Sequence, residues 1–441
     1  MFGNWFKKEA PFQGFMGFGG GATNLFYGGS VTGPGVNYFG DENDGAFNST
    51  GSTTLTVTNK NGSFDGDIMI KRYSSFTLNS GHSLTVDQPC RGLIIFCTGN
   101  VEISGPITMA TRGAYADTAD NSTNPNSNVK NGPDGLPSDG MIWRWLAPPT
   151  ADQRSLPAAS SADFNTAGPP TSFLYTYQTN QANNIGAANG LNKGVELRLS
   201  RQGAGGGAGV DSPPGGTPGT NGTAGTNTSS SGLYTMSSGG GGSGSNGNYG
   251  GGEPSGLGSY GSCFGGGAGG GGNRASNPHD PGQDATIWGG AGGFGDNGGN
   301  YNHCGGGGAG NPGGAGNNNG PTSVVSANGQ AGTGGLIMII ASGNVTLNPT
   351  GVLDVRGANG GPASNFPDCN SVESAGGGTG GGIIAIAHGG SFTNNGSVYE
   401  SGGEGGVAAS CWTGGGSNPS TGGDGGTGVF RSIHITDKDG N

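Results

Sequence analysis

Between residues 50 and 113 apolar and polar positions alternate along short runs. TLTVT (54–58), DIMIKR (67–72), SFTLNSGHSLTV (75–86) and GLIIFCTGNVEISGPITM (92–109) read as strands joined by turns. Side chains of a strand point alternately to opposite faces, and Asn-Gly, Ser-Gly and Thr-Gly-Asn supply the turn chemistry.

The pattern then repeats. Gly92-Leu-Ile-Ile-Phe is followed by Gly99-Asn-Val-Glu-Ile, Gly105-Pro-Ile-Thr-Met and Arg112-Gly-Ala. The same order recurs from Gly335 through Gly343 and Gly351 to Arg356-Gly-Ala, and again from Gly382 through Gly389 and Gly396 to Ser401-Gly-Gly. GVELRLSRQGAGG (194–206) is a partial copy, and GVFRSIHI (428–435) opens one more. Three strands of four or five residues cannot bury a face alone, so the copies must stack. The expected fold is all-β, built of stacked short-strand repeats in a β-solenoid or sandwich-like arrangement.

A glycine tract follows the third strand of each copy, from Gly203, Gly357 and Gly402 onward. Linkers have no reason to keep a constant place in a repeat. Fixing glycine costs more backbone entropy than fixing any other residue, and glycine buries no side chain in return. An extended left-handed threefold helix recovers that cost by pairing its outward N–H and C=O groups with neighbouring helices. The tracts at 239–242, 265–272, 289–293, 305–310 and 376–382 supply the neighbours, and Gly216, Gly219, Gly222 and Gly225 keep a threefold register. The pattern predicts a glycine-rich lattice of packed polyglycine II helices. Between the tracts stand Tyr249, Tyr260, Phe264, Trp288, Phe294, Tyr301 and Trp412, among Asn, Ser and Gly as in binding loops. They are the candidate receptor-binding residues, with stapling of the lattice edges as the alternative.

Composition sharpens this picture. The 441 residues include 105 Gly and 24 Pro, yet only 10% are charged, whereas disordered chains are usually charge-rich. A net charge of −11 argues against nucleic acid and anionic membranes as partners. No apolar run approaches the ~18 residues of a membrane span. The start, MFGNWFKKEAPFQGFMGFGGG, lacks the apolar core of a secretory signal. Its Phe2, Trp5, Phe6, Phe12, Phe15 and Phe18 are spaced by glycines and read as an anchor that docks on a partner.

Catalytic and metal chemistry finds little footing. The candidate carboxylates Glu102, Asp354, Glu373, Glu400 and Glu404 fall at different places in the repeat. His82, His279, His303, His388 and His434 have no triad context. Cys90, Cys97, Cys263, Cys304, Cys369 and Cys411 form no CxxC pair and read as thiols, with later disulfides an open alternative. GDENDG (40–45) and DKDGN (437–441) are oxygen-rich but have the wrong spacing or length for calcium loops. The chain is expected to be no enzyme and to carry no cofactor or metal.

The glycine tracts with aromatic loops, mainly at 203–334 and again near 376–382 and 402–426, resemble the distal tail-fibre adhesins of T-even-like bacteriophages. The strand module at 81–114 and the segment PFQGFMGFGGGATNL (11–25) resemble parts of phage structural and fibre proteins. The resemblance implies a virion protein without enzymatic activity, made in the host cytoplasm. Its partners would be other virion proteins at the N-terminus and a host cell-surface glycan or outer-membrane protein at the loops. A homotrimer is the assembly common among fibre proteins. A head fibre or capsid decoration protein, or a bacterial surface or filament protein, are the alternatives. The expected organisation is an anchor at 1–50, a β module at 51–113 and a Pro/Ser/Asn-rich insertion at 114–193. The glycine region at 194–334 and β-repeats with glycine tracts at 335–441 complete it.

Overall fold

The computed structural model describes residues 42–113 (except 59, 61–62, 64–65 and 67), 207, 224–225, 238–245, 255–259, 261, 265–272, 305–316, 327–362, 374–407 and 420–434. It also describes the backbone of four strands between residues 141 and 236. No described residue lies in a helix.

Short strands recur in rungs. The first rung gives β1 (Ala46–Asn48) and β2 (Thr53–Leu55). The second gives β3 (Met69–Tyr73), β4 (Ser75–Leu78) and β5 (Leu84–Val86). The third gives β6 (Leu93–Cys97), β7 (Val101–Ile103) and β8 (Pro106–Thr108). The chain then forms β9 (Met141–Leu146), β10 (Tyr175–Thr176), β11 (Gly194–Leu199) and β12 (Thr235–Met236), which pair in the order β10-β9-β11-β12. A fourth rung follows with β13 (Leu336–Ala341), β14 (Val345–Leu347) and β15 (Val352–Asp354). The fifth gives β16 (Ile383–His388), β17 (Phe392–Asn394) and β18 (Ser397–Tyr399), and β19 (Val429–His434) begins a sixth.

The rungs stack into three five-stranded parallel sheets, the arrangement of a β-solenoid-like stack. The first side runs β3-β6-β13-β16-β19, the second β1-β4-β7-β14-β17 and the third β2-β5-β8-β15-β18. Register is kept across very different sequence separations. Asn344 sits 244 residues from its rung-mate Asn100, and Ser391 sits 47 residues beyond Asn344.

The core is the column of inward residues. Phe76, Leu78, Leu84, Val86, Leu93, Ile95, Val101, Ile103, Ile107, Ile337, Ile339, Val345, Leu347, Leu353, Ile384 and Ile386 are all fully buried. Each such side chain contributes roughly 1.5–3 kcal/mol by leaving water. The middle of the first side is buried on both faces, since β6, β13 and β16 are buried throughout. The end rungs are less covered: Phe47, Leu55, Phe392, Val398 and Phe430 are only partly buried.

Corners repeat as ladders of polar side chains. The Asn100 carboxamide oxygen accepts the Asn344 amide at 2.9 Å, and that of Asn344 accepts the Ser391 amide at 2.8 Å. One corner needs glycine outright: a Cβ on Gly105 would lie 2.0 Å from the His82 carbonyl oxygen.

Glycine-rich segments leave the stack after β15 and β18 and return before β16 and β19. Their amides bond between segments with a three-residue period. In 376–382 the first and fourth amides, of Gly376 and Thr379, donate to Gly361 and Ala358. Gly377 and Gly380 donate to Gly270 and Gly267, and Gly378 and Gly381 to Gly423 and Gly426. The carbonyls of Ala375, Gly378 and Gly381 accept from Ser245, Gly242 and Gly239. Those of Ser374 and Gly377 accept from Gly306 and Ala309, and those of Gly376 and Thr379 from Gly406 and Gly403. Gly334 donates to Gly380 three residues on from Gly306 to Ser374 and Ala309 to Gly377, so this one segment is hydrogen-bonded on six sides.

Candidate functional site

The direction of each glycine segment follows from its bonds. Gly382 precedes β16 directly and Gly381 bonds Gly239, so both mark the end near the stack. Ser245 bonds Ala375 at the opposite, far end. Segments 239–245, 265–272, 355–362 and 400–407 run outward, and 255–259, 305–310, 327–335, 374–382 and 420–428 run back. Residues 245, 255, 272, 305, 362, 374, 407 and 420 thus mark the far end, where chain must cross from one segment to the next.

All seven candidate receptor-binding aromatics lie outside the described residues, as do the anchor residues Phe2, Trp5, Phe6, Phe12, Phe15 and Phe18. The described ends that flank the seven nevertheless separate them. Tyr249 falls between 245 and 255, Trp288, Phe294 and Tyr301 between 272 and 305, and Trp412 between 407 and 420. The described residues on either side of those five lie at the far end. Tyr260 and Phe264 fall between 259 and 265, where the flanking segments meet the stack, because Gly266 bonds Gly334 two residues before β13. Nothing in the sequence distinguishes the two groups, since the direction of a glycine segment carries no side-chain signal.

The candidate carboxylates are scattered. Glu102 is exposed on the outer face of the second side. Asp354 holds Arg356 through two bonds, Nε to Oδ1 at 3.0 Å and Nη2 to Oδ2 at 2.7 Å, and the guanidinium lies 4.9 Å from the Tyr399 ring centroid. That contact pulls the Arg356 pKa above its usual value through the Asp354 hydrogen bond. Glu400 occupies the inward column at the end of the third side, and burial pushes its carboxyl above the usual carboxylate range. Glu373 lies outside the described residues. Glu404 shares a cleft with another carboxylate, Asp424, which sequence reading did not single out. The open cleft of ≈ 390 Å³ is lined by Ala224, Glu404, Gly405, Thr421, Gly422, Gly423 and Asp424. Asp424 is fixed there by accepting the Gly405 amide at 2.8 Å.

Several other titratable residues are held by neighbouring polar groups. His388 is buried, its Nδ1 is 2.8 Å from the Gly390 carbonyl oxygen, and burial lowers its pKa below the usual imidazole value. The His434 ring meets it edge-on at 5.4 Å. His82 Nδ1 is 2.9 Å from the Ser49 hydroxyl. Cys90 and Cys97 are buried thiols, and burial pushes the Cys97 thiol up. His279, His303 and the other four cysteines lie outside the described residues. In the oxygen-rich stretch before β1, the Asp44 carboxylate accepts the Arg72 amide at 2.7 Å and pairs with Lys71 at 3.3 Å. Among the described residues no three His, Cys, Asp or Glu converge as a metal set would.

No family model, curated protein or solved structure matches the chain.

Proposed function

We propose that the protein is a non-enzymatic structural protein of a bacteriophage particle, a tail-fibre or appendage adhesin that binds a host-surface receptor. In this reading the glycine segments are polyglycine II helices packed side by side in a lattice. Support comes from the three-residue period of the amide bonds and from the bonding of 374–382 on six sides, which is how threefold helices satisfy every backbone group without side chains. The lattice is a stiff mount, the β stack its base and the far-end connections its display surface.

The observation that carries the reading is the gathering of several crossings at one end. The connections holding Tyr249, Trp288, Phe294, Tyr301 and Trp412 all start and finish there. Aromatic side chains on rigidly mounted loops are a common means of stacking on a sugar ring or a protein surface. Residues 1–50 dock the chain to other virion proteins, and the ligand is a cell-surface glycan or an outer-membrane protein.

Particles carrying Trp288→Ala with Tyr301→Ala test this. Assembly is expected to be normal and adsorption to host cells lost. Normal adsorption would sink the adhesin reading and leave a decoration protein. Deleting residues 1–30 is expected to abolish incorporation into particles.

A further inference from the structure

The first side of the β stack is built differently on its outside from the other two. The outward rows of the second and third sides hold Thr77, Glu102 and Thr346, and Thr85 and Thr108, all half-buried or exposed. On the first side Ile94, Phe96, Met338, Ile340, Ala385 and Ala387 alternate with the residues of the core cluster, and so point outward. They are nevertheless at most 3% exposed. The cover spans β6, β13 and β16 and fades at both edges, where Ile70 of β3 and Val429 of β19 are half-buried.

The glycine segments show which part of the chain stands on that side. The segments around 374–382 bond to one another in a closed ring. In order come 239–245, 265–272, 305–310, 355–362, 400–407 and 420–428, each bonded to the next and the last to the first. Segments 239–245 and 265–272 thus stand across 374–382 from 355–362 and 400–407. The latter two leave the third side after β15 and β18, whereas 374–382 enters the first side at β16. The third side lies inward of the first, so 239–245 and 265–272 lie outward of it. β12 ends at Met236, three residues before Gly239 and within ~11 Å of it along the chain. Gly239 donates to Gly381, two residues before β16. β12 therefore stands at the foot of the outward layer, beside the first side.

We propose that the sheet β10-β9-β11-β12 is a second layer, packed face to face on the outside of the first side. Residues directly opposed on neighbouring strands share a face. The register sets Met141, Trp143 and Trp145 of β9 on one face with Leu199, Leu197 and Val195 of β11, and Met236 of β12 joins Leu199 there. The other face carries Arg144 opposite Glu196, and Ile142 opposite Arg198. A sheet with one apolar face has to bury it, and sheets stack about 10 Å apart through such faces. The lengths agree as well, because β9, β11, β13 and β16 each have 6 residues. The apolar outer surface of the stack is thus satisfied within the chain and is not a docking surface for another virion protein. The inference does not depend on what the far-end loops bind.

Two measurements on the full chain test it. The first puts the photo-crosslinker p-benzoylphenylalanine in place of Trp143 or Trp145. Irradiation should join it to peptides 93–97, 336–341 or 383–388, at the mass of one chain. Joining to residues 1–41, or a product of twice the mass, would give the sheet a different partner and overturn the proposal. The second starts from Ala387→Cys, with maleimide labelling read site by site by mass spectrometry. Labelling at 387 should be slow, and ~10-fold or more faster once Trp143→Asp and Trp145→Asp are added. Cys97, buried in the core of the stack, should stay unlabelled throughout. If Cys97 labels too, the substitutions have unfolded the stack and the crosslink decides. Labelling at 387 that ignores the two substitutions while Cys97 stays protected would overturn the proposal. Labelling that speeds up only on deletion of residues 1–41 would do the same.

Discussion

At Gly377 an added Cβ would stand 2.1 Å from the Gly242 carbonyl oxygen, and at Gly380 1.9 Å from that of Gly239. The obstacle is backbone, which cannot rotate away as a side chain can. Gly377→Ala is therefore expected to cost ~3 kcal/mol or more, at or beyond the upper end of ordinary overpacking. Gly51→Ala, with nothing within 4 Å, should stay within ~0.5 kcal/mol of the native protein. Denaturant unfolding of the two variants measures the contrast, and equal effects would contradict it. Glu400 gives the pH-dependent case. Burial raises its folded pKa, so the folded state holds the proton more tightly than the unfolded one. Stability is then lost as pH rises from the ordinary carboxylate value through the raised one. Glu400→Gln should melt above the native protein at neutral pH, and the gain should vanish once the pH falls below the carboxylate range. A gain that persists in acid would show that the carboxyl's charge is not its source.

Among the elements, the three-strand repeat was legible because each strand alternates and each turn carries glycine or asparagine. Its limits are instructive. TLTVT (54–58) reads as one strand, yet β2 covers only Thr53–Leu55. The Val57 amide is taken instead by the Asp87 carboxylate at 2.9 Å, which also pairs with Lys60 at 2.7 Å. GVELRL resembles a partial copy of the repeat, but β11 pairs antiparallel with β9 in the mixed sheet. Local alternation marks a strand and is silent about its partner. Nor does any local signal say that β13 should pair with β6 across the long excursion between rungs three and four. At that join the Asn100 carboxamide oxygen accepts the Asn344 amide at 2.9 Å, and the same corner ladder continues to the next rung. Asn344 accepts both the amide and the hydroxyl of Ser391, at 2.8 and 3.0 Å. Asn344→Ala should destabilise by ~1–2 kcal/mol, the usual net worth of a pair of exposed hydrogen bonds, measurable as a shift in the denaturant midpoint. No shift would mean that the backbone ladders alone set the corner.

On the scale of the whole molecule, glycine segments are attached to a β stack at a recurring corner, and several of their described ends gather on the side away from it. The presence and placement of the segments could be read from the sequence. Their direction could not, because the direction of a glycine segment carries no side-chain signal. The central claim is that these segments are ordered rods and not tethers. Each amide from Gly376 to Gly382 has a named carbonyl partner, in Gly361, Gly270, Gly423, Ala358, Gly267, Gly426 and Val355 in turn. Hydrogen exchange of the intact protein, resolved to the peptides covering 265–272 and 374–382, tests this most directly. The account predicts protection comparable with that of β13 and β16. Exchange at the rate of an unstructured glycine peptide would contradict it.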